Sequence, residues 1–165
     1  MSQSLPDMLR RESGRRAPAR RPEQRLRRTK RQTATALAGV PLFSGFSKRE
    51  LNRLAGDTDE LTFGPGEAVV REGDLGETMF VVLEGEGKVV RSGKKVGTVL
   101  PGDFFGELAA IDAQPRSASV VAVTPLRVLR LFRRHLLALL KDEPQITLKL
   151  LDGIVRRVRQ IDRSL

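Results

Sequence analysis

The chain has 165 residues, a formal net charge of +10 and a 39% hydrophobic composition, with no Cys, Trp or Tyr. That length holds one globular domain and a tail rather than two domains, and the missing cysteine excludes disulfides, thiolate metal sites and cysteine nucleophiles. No apolar run approaches the ~18 residues of a membrane span, and no secretory leader precedes Arg10 and Arg11, so a cytoplasmic location is expected.

The charge is unevenly spread. Residues 1–35 carry a net +8 and residues 36–165 only +2. The first segment is rich in Arg, Pro, Ser and Ala and offers little to bury, so a basic, disordered tail or a marginal helix is expected over 1–35. Such a tail is either a solvated arm or a contact for an anionic partner, whether nucleic acid, membrane surface or acidic protein. It has no aromatic residue to stack on a base, so contact with nucleic acid would rest on phosphates and depend on salt.

The folded domain is expected over 36–165. Pro41, Leu42 and Phe43 read as a turn. Ser47 then caps a short helix, with Glu50 three residues later completing a capping box and Phe46, Leu51, Leu54 and Ala55 on its apolar side. From Glu60 to Phe132 the texture changes, and ten of the 15 glycines fall between Gly64 and Gly106. Short runs at Val69–Val70, Met79–Leu83, Lys88–Val90, Lys95–Leu100, Ser119–Val123 and Leu126–Leu131 read as strands. Many short strands with glycine turns indicate a sandwich, barrel or jelly roll. After Phe132 the period turns helical, with Phe132, Leu136, Leu139 and Leu140 on one face. Pro144 breaks that helix and opens another. The last helix carries Ile146, Leu150, Ile154 and Ile161 on one stripe and Leu148, Leu151, Val155 and Val158 beside it, a wider face than one small roll needs to cover.

Between the strands lies the informative stretch, Pro101-Gly102-Asp103-Phe104-Phe105-Gly106-Glu107-Leu108-Ala109-Ala110-Ile111, continuing through Pro115-Arg116-Ser117-Ala118-Ser119-Val120. A short helix starting near Gly106 would offer free N–H groups to an anion, and glycine lets the backbone come close. Arg116 supplies a planar fork for phosphate oxygens. Glu107 accepts only, so it suits a sugar hydroxyl rather than a phosphate. Ser117 can add a further hydrogen bond. Taken singly, Glu107 reads more readily as a helix cap and Arg116 as a surface residue before a strand.

In this frame the two runs resemble the phosphate-binding cassette of the cyclic nucleotide-binding domain family. The resemblance spans about residues 37–165 and includes Val40-Pro41-Leu42-Phe43, Gly64-Pro65-Gly66-Glu67 and Met79-Phe80-Val81-Val82-Leu83. It implies a mainly β fold, an eight-stranded jelly roll over about 60–132, with short N-terminal helices and C-terminal hinge helices over about 132–163. It implies that Glu107 holds the ribose 2′-hydroxyl and Arg116 the cyclic phosphate. Gly106, Leu108, Ala109, Ser117 and Ala118 would line the pocket, and Val89 and Val96 would lie near the base. The ligand implied is cyclic AMP or, alternatively, cyclic GMP, since a serine after the arginine leans towards adenine without excluding guanine. Catabolite-activator-type members continue into a helix-turn-helix, whereas this chain stops at Leu165, so a stand-alone receptor is expected. Ile161 and Asp162 stand where such activators place small hydroxyl residues against the base.

No catalytic group, metal site or cofactor is expected. His135 has no partner for either chemistry, and Glu84 and Glu86 flank a turn at Gly85. The leading expectation is a receptor whose C-terminal helices signal to a protein partner, with a homodimer through the last helix also expected. The alternatives are an interaction module of the same fold that binds no nucleotide, and a regulator acting through the basic tail.

Overall fold

Strands buried on both faces define the core. The computed structural model describes residues 24–25 and 28–163. Its strands are β1 (Gln24–Arg25), β2 (Thr58–Phe63), β3 (Ala68–Val70), β4 (Thr78–Glu84), β5 (Gly87–Arg91), β6 (Lys94–Val99), β7 (Phe104–Phe105), β8 (Ser119–Ala122) and β9 (Leu126–Phe132). They form two antiparallel sheets, ordered β1-β2-β9-β4-β7 and β3-β8-β5-β6. Strands β2 to β9 are the expected eight-stranded roll, and β1 adds a two-residue pairing at the edge of β2.

On β4 and β9 successive side chains point to opposite faces, and both faces are covered. Phe80, Val82, Leu126 and Val128 join Val70, Val99, Val120 and Ala122 of the facing sheet in one core. Met79, Val81, Leu129 and Leu131 point the other way, into a second core made with the helices. This is why Met79-Phe80-Val81-Val82 reads as an unbroken apolar run rather than an alternation.

The helices are α1 (Lys30–Ala38), a 3₁₀ turn (Pro41–Phe43), α2 (Lys48–Gly56), α3 (Glu107–Asp112), α4 (Arg133–Asp142) and α5 (Pro144–Arg163). Ser47 and Glu50 form the expected capping box on α2. Helix α1 starts inside the segment expected to be a tail. Thr29 and Gln32 make a second capping box, and Leu37 is wholly buried among the helices. Helical structure therefore starts before Ala36, where a capped turn and one buried leucine hold it despite the arginine-rich composition. Of the expected tail, residues 1–23 and 26–27 lie outside the described residues.

Arg28 is tied to the roll as well. Its Nε pairs with Glu60 Oε2 at 3.0 Å, and Arg127 Nε meets Glu60 Oε1 at 2.6 Å. Glu60 is 3% exposed, so this is a buried carboxylate between two guanidinium groups. Its burial was not evident from sequence.

Helix α4 buries Leu136 fully, with Leu139 and Leu140 partly buried beside it. Phe132 departs from the expected helical face. It ends β9 as the residue capping α4 and is exposed, with the Arg130 guanidinium 5.0 Å from its ring centre. On α5, Ile146 and Leu150 are buried and Ile154 packs at the edge of the core, whereas Leu148, Leu151, Val155 and Val158 are exposed. Among the described residues no helix is long and apolar enough to cross a membrane.

Candidate functional site

The chain leaves β7 at Phe105, turns sharply and enters α3. The turn residue is Gly106, with φ of 81°, in the left-handed region that favours glycine. A Cβ there would stand 2.7 Å from Arg116 Nη1 and 2.9 Å from the Thr78 carbonyl oxygen. Only glycine lets the arginine come so close to this backbone. Helix α3 ends at Ala113, also left-handed at 56°, and an extended segment brings in Arg116 just before β8.

Arg116 is 7% exposed, a rare state for an arginine. Its backbone is pinned to the loop before β4, donating N–H to the Asp74 carbonyl at 2.9 Å and accepting from Gly73 N at 2.8 Å. The side chain reaches inward. Nη1 donates to the carbonyls of Thr78 at 2.8 Å and Gly106 at 3.1 Å, and Nη2 donates to Thr78 Oγ1 at 2.9 Å. Burial pushes its pKa below the ordinary arginine value, opposed by the charges of Glu107 and Asp74. An arginine stays protonated through such a change.

The hydrogen-bond count on this guanidinium is informative. It has five N–H donors, and the three bonds above use both of Nη1 and one of Nη2. What remains is Nε–H and the second Nη2–H, which lie side by side in the geometry that grips two oxygens of one phosphate or carboxylate. Gly76 faces that edge. A Cβ on it would lie 2.6 Å from Nη2 and 2.9 Å from Nε, so a larger residue would cover the open fork.

Glu107 occupies the first turn of α3 and is 3% exposed. Its Oε1 accepts from Arg157 Nη1 of α5. Its Oε2 is buried with no partner. A carboxylate oxygen can only accept, so the open position calls for a donor.

Of the residues singled out from sequence, Gly106, Glu107 and Arg116 are brought together. Ala109 is buried on the inner side of α3, and Leu108 is 48% exposed on the outer side. Ser117 is exposed, its carbonyl accepting from Arg91 Nε at 3.1 Å, and Ala118 is half-buried beside it. Val89 pairs with Val120 on β8 and packs on the inter-sheet core. Val96 sits at the bulge where the β5–β6 ladder shifts and is 59% exposed, outside that core. The side chains of Ile161 and Asp162 lie outside the described residues. Sequence reasoning missed Gly76 and Thr78, which come from a distant loop and strand, and Arg157, one of several arginines in the last turns of α5.

Residues 60–143 match the model of the cyclic nucleotide-binding domain. The chain belongs to the cyclic nucleotide-binding domain family. It is similar to the cyclic AMP receptor protein of Thermus thermophilus, 31% identical over 134 residues that make up 78% of this chain and 62% of that one. It is also similar to a cAMP-dependent protein kinase regulatory subunit of Hypocrea atroviridis, 30% identical over 76% of this chain and 25% of the relative. Among solved structures, the regulatory subunit of a cAMP-independent protein kinase A from Trypanosoma brucei superposes with a TM-score of 0.69 at 26% identity, covering 82% of this chain and 50% of that one. The chain thus spans under two thirds of the length of each of these relatives.

Proposed function

We propose that the cluster of Gly106, Glu107 and Arg116 binds a 3′,5′-cyclic nucleotide, cyclic AMP in first place and cyclic GMP in second, and that the domain is a regulatory receptor rather than an enzyme. One observation carries the reading. A buried arginine with an open two-pronged edge and a buried carboxylate with one open oxygen stand at the two ends of one short segment. A cyclic nucleotide brings the complementary pair, a singly charged phosphodiester and a ribose 2′-hydroxyl.

In this reading Arg116 takes two phosphate oxygens through Nε and Nη2, while Thr78 and the Gly106 carbonyl hold the guanidinium in place. The first-turn N–H groups of α3, which have no acceptor within the helix, face the same charge. Glu107 Oε2 accepts the 2′-hydroxyl. Leu108, Ala109, Ser117 and Ala118 flank the sugar phosphate, and Val89 and Val96 flank the base. A phosphate without the sugar leaves Glu107 unanswered, and repulsion by that carboxylate disfavours it.

Binding shifts the helices only through its different affinity for their two arrangements. Helix α5 contacts Glu107 directly, which gives ligand a route to α4 and α5 and from them to a protein partner. The exposed Leu148, Leu151, Val155 and Val158 follow a 3-4-3 spacing, the seam pattern of paired helices, and support a second copy of this chain as that partner.

A second reading has the same roll without a cyclic nucleotide, as the cAMP-independent relative suggests. The geometry at Arg116 and Glu107 weighs against it. Calorimetric titration with cyclic AMP, cyclic GMP and 5′-AMP separates the readings. Saturable binding of a cyclic nucleotide, lost in Arg116→Ala and much weaker for 5′-AMP, is expected. No heat from either cyclic nucleotide at millimolar concentration would leave the interaction module.

A further inference from the structure

Helix α2 separates its residue types by face. Leu51, Leu54 and Ala55 are buried in the core beneath the helices, while Lys48, Arg49, Asn52 and Arg53 are exposed. Where α2 packs on α1, an open basin of about 770 Å³ is lined by Lys30, Arg49, Asn52, Arg53, Gly56 and Asp57. Lys30 of α1 is held over the last residue of α2, since a Cβ on Gly56 would stand 3.5 Å from its Cε and 3.6 Å from its Nζ. Three cations from two helices thus share one concavity.

The acids nearby leave that charge standing. Asp57, on the wall of the basin, faces His135 Nδ1 at 3.5 Å. Arg53 reaches Asp142 only at 3.8 Å, with both side chains more than half exposed, a pairing worth little. Glu50 is turned to the start of α2, accepting from Ser47 N at 2.8 Å. Lys30 and Arg49 have no acidic partner among the described residues. Like charges gathered in a concavity raise the local potential and draw in a multivalent anion.

The walls of the basin select the class of anion. None of the exposed large apolar side chains lies on α1 or α2, whereas a helix lying on a membrane sets such side chains beside its cations, and a protein interface has an apolar core. No aromatic ring stands open for base stacking, because Phe43 and Phe46, between the two helices, pack on each other. Interfaces with duplex nucleic acid are polar and strongly positive, and most of their bonds go to phosphate and sugar. We propose that the basin between α1 and α2 grips the phosphate backbone of duplex nucleic acid, without regard to base sequence, through Lys30, Arg49 and Arg53. The segment leading into α1 continues the same sign, with eight Arg against three Asp and Glu over residues 1–27. Nothing in this contact depends on the cyclic nucleotide reading.

The test is fluorescence anisotropy of the full chain with a short labelled DNA duplex, and with the RNA duplex of the same sequence, between about 50 and 200 mM salt. Each neutralised cation removes about 0.9 from the slope of log K against log salt. Lys30→Gln, Arg49→Gln and Arg53→Gln together should flatten the slope by about 2.7 and weaken binding at least about tenfold at about 100 mM salt. Arg49→Gln alone should flatten it by about 0.9, which covers failure of the triple variant to fold. Arg49→Lys with Arg53→Lys should keep the slope. Lys88→Gln, Lys94→Gln and Lys95→Gln remove an equal charge from exposed positions on β5 and β6 of the other sheet, and should flatten it by less than about 1, since separated surface charges are screened. Binding of either duplex that the basin substitutions weaken in this way supports the proposal, and the tighter of the two names the source.

No binding by the wild type at about 50 mM salt would overturn the proposal. So would a slope that the basin substitutions leave unchanged, which would put any contact on residues 1–27. An equal loss from the β5 and β6 substitutions would also overturn it, leaving net charge alone as the cause. Tighter binding to poly-glutamate or to phosphatidylserine vesicles than to either duplex would overturn it in favour of an acidic protein or a membrane surface.

Discussion

Replacing Gly76 with alanine adds one methyl group against the open edge of Arg116. The new Cβ would lie 2.6 Å from Nη2, 2.9 Å from Nε and 3.0 Å from Cζ. Gly76 is not in the left-handed region, so the backbone accepts alanine. Something must still move by roughly 0.8 Å to restore ordinary contact. The guanidinium is pinned by bonds of 2.8, 3.1 and 2.9 Å to Thr78 and Gly106, and a shift of that size weakens them towards the limit of hydrogen bonding. Fold stability should change by only about 1 kcal/mol or less, since losing glycine also stiffens the unfolded chain by about 0.4–1 kcal/mol. Phosphate binding should suffer far more. Losing one charge-assisted bond costs about 1.5–3 kcal/mol, or roughly 10- to 150-fold in Kd. Thermal melts of the free protein and calorimetric titration with cyclic AMP measure the two effects separately. Unchanged affinity in a normally folded Gly76→Ala protein would refute the assignment of the Nε and Nη2 edge to phosphate.

Other perturbations address the scaffold. Glu60→Ala leaves Arg28 and Arg127 without their shared, buried carboxylate, and urea unfolding should show a loss of about 3 kcal/mol. Leu37→Ala removes a wholly buried side chain of α1 and should cost about 2–5 kcal/mol by the same assay; a neutral result would show that α1 is not part of the cooperative domain. Leu151→Glu places a charge in the exposed seam of α5 and should convert a dimer to a monomer by light scattering, with no loss of the folded signal; a wild-type monomer would contradict the seam.

Much of the roll was legible because its signals are local. Glycines separate runs of β-branched residues, and Ser47 with Glu50 marks the start of α2 within four residues. The clustering of Gly106, Glu107 and Arg116 was legible for the same reason, since the three lie close in sequence. The start of α1 was legible in principle, because Thr29 and Gln32 have the spacing of a capping box, but the surrounding arginines drew the reading towards disorder. Gly76, Thr78 and Arg157 were not legible as site residues. They reach Arg116 and Glu107 only through the pairing of sheet strands and the packing of α5, and nothing in their own sequence neighbourhood distinguishes them. Glu60 was hidden likewise, since its partners Arg28 and Arg127 are far away along the chain. The strand β2 that carries it mixes polar and apolar residues because that carboxylate is paired inside.

The most direct test of the receptor account is a thermal melt with and without cyclic AMP and cyclic GMP, with Arg116→Ala alongside. At a ligand concentration about 100 times Kd, binding to the folded state adds about 2.7 kcal/mol, which for a domain of this size raises Tm by about 5–10 °C. The account predicts that rise with cyclic AMP in the wild type and none in Arg116→Ala. A wild-type Tm unmoved by either nucleotide up to millimolar concentration, or an equal rise in Arg116→Ala, would contradict it.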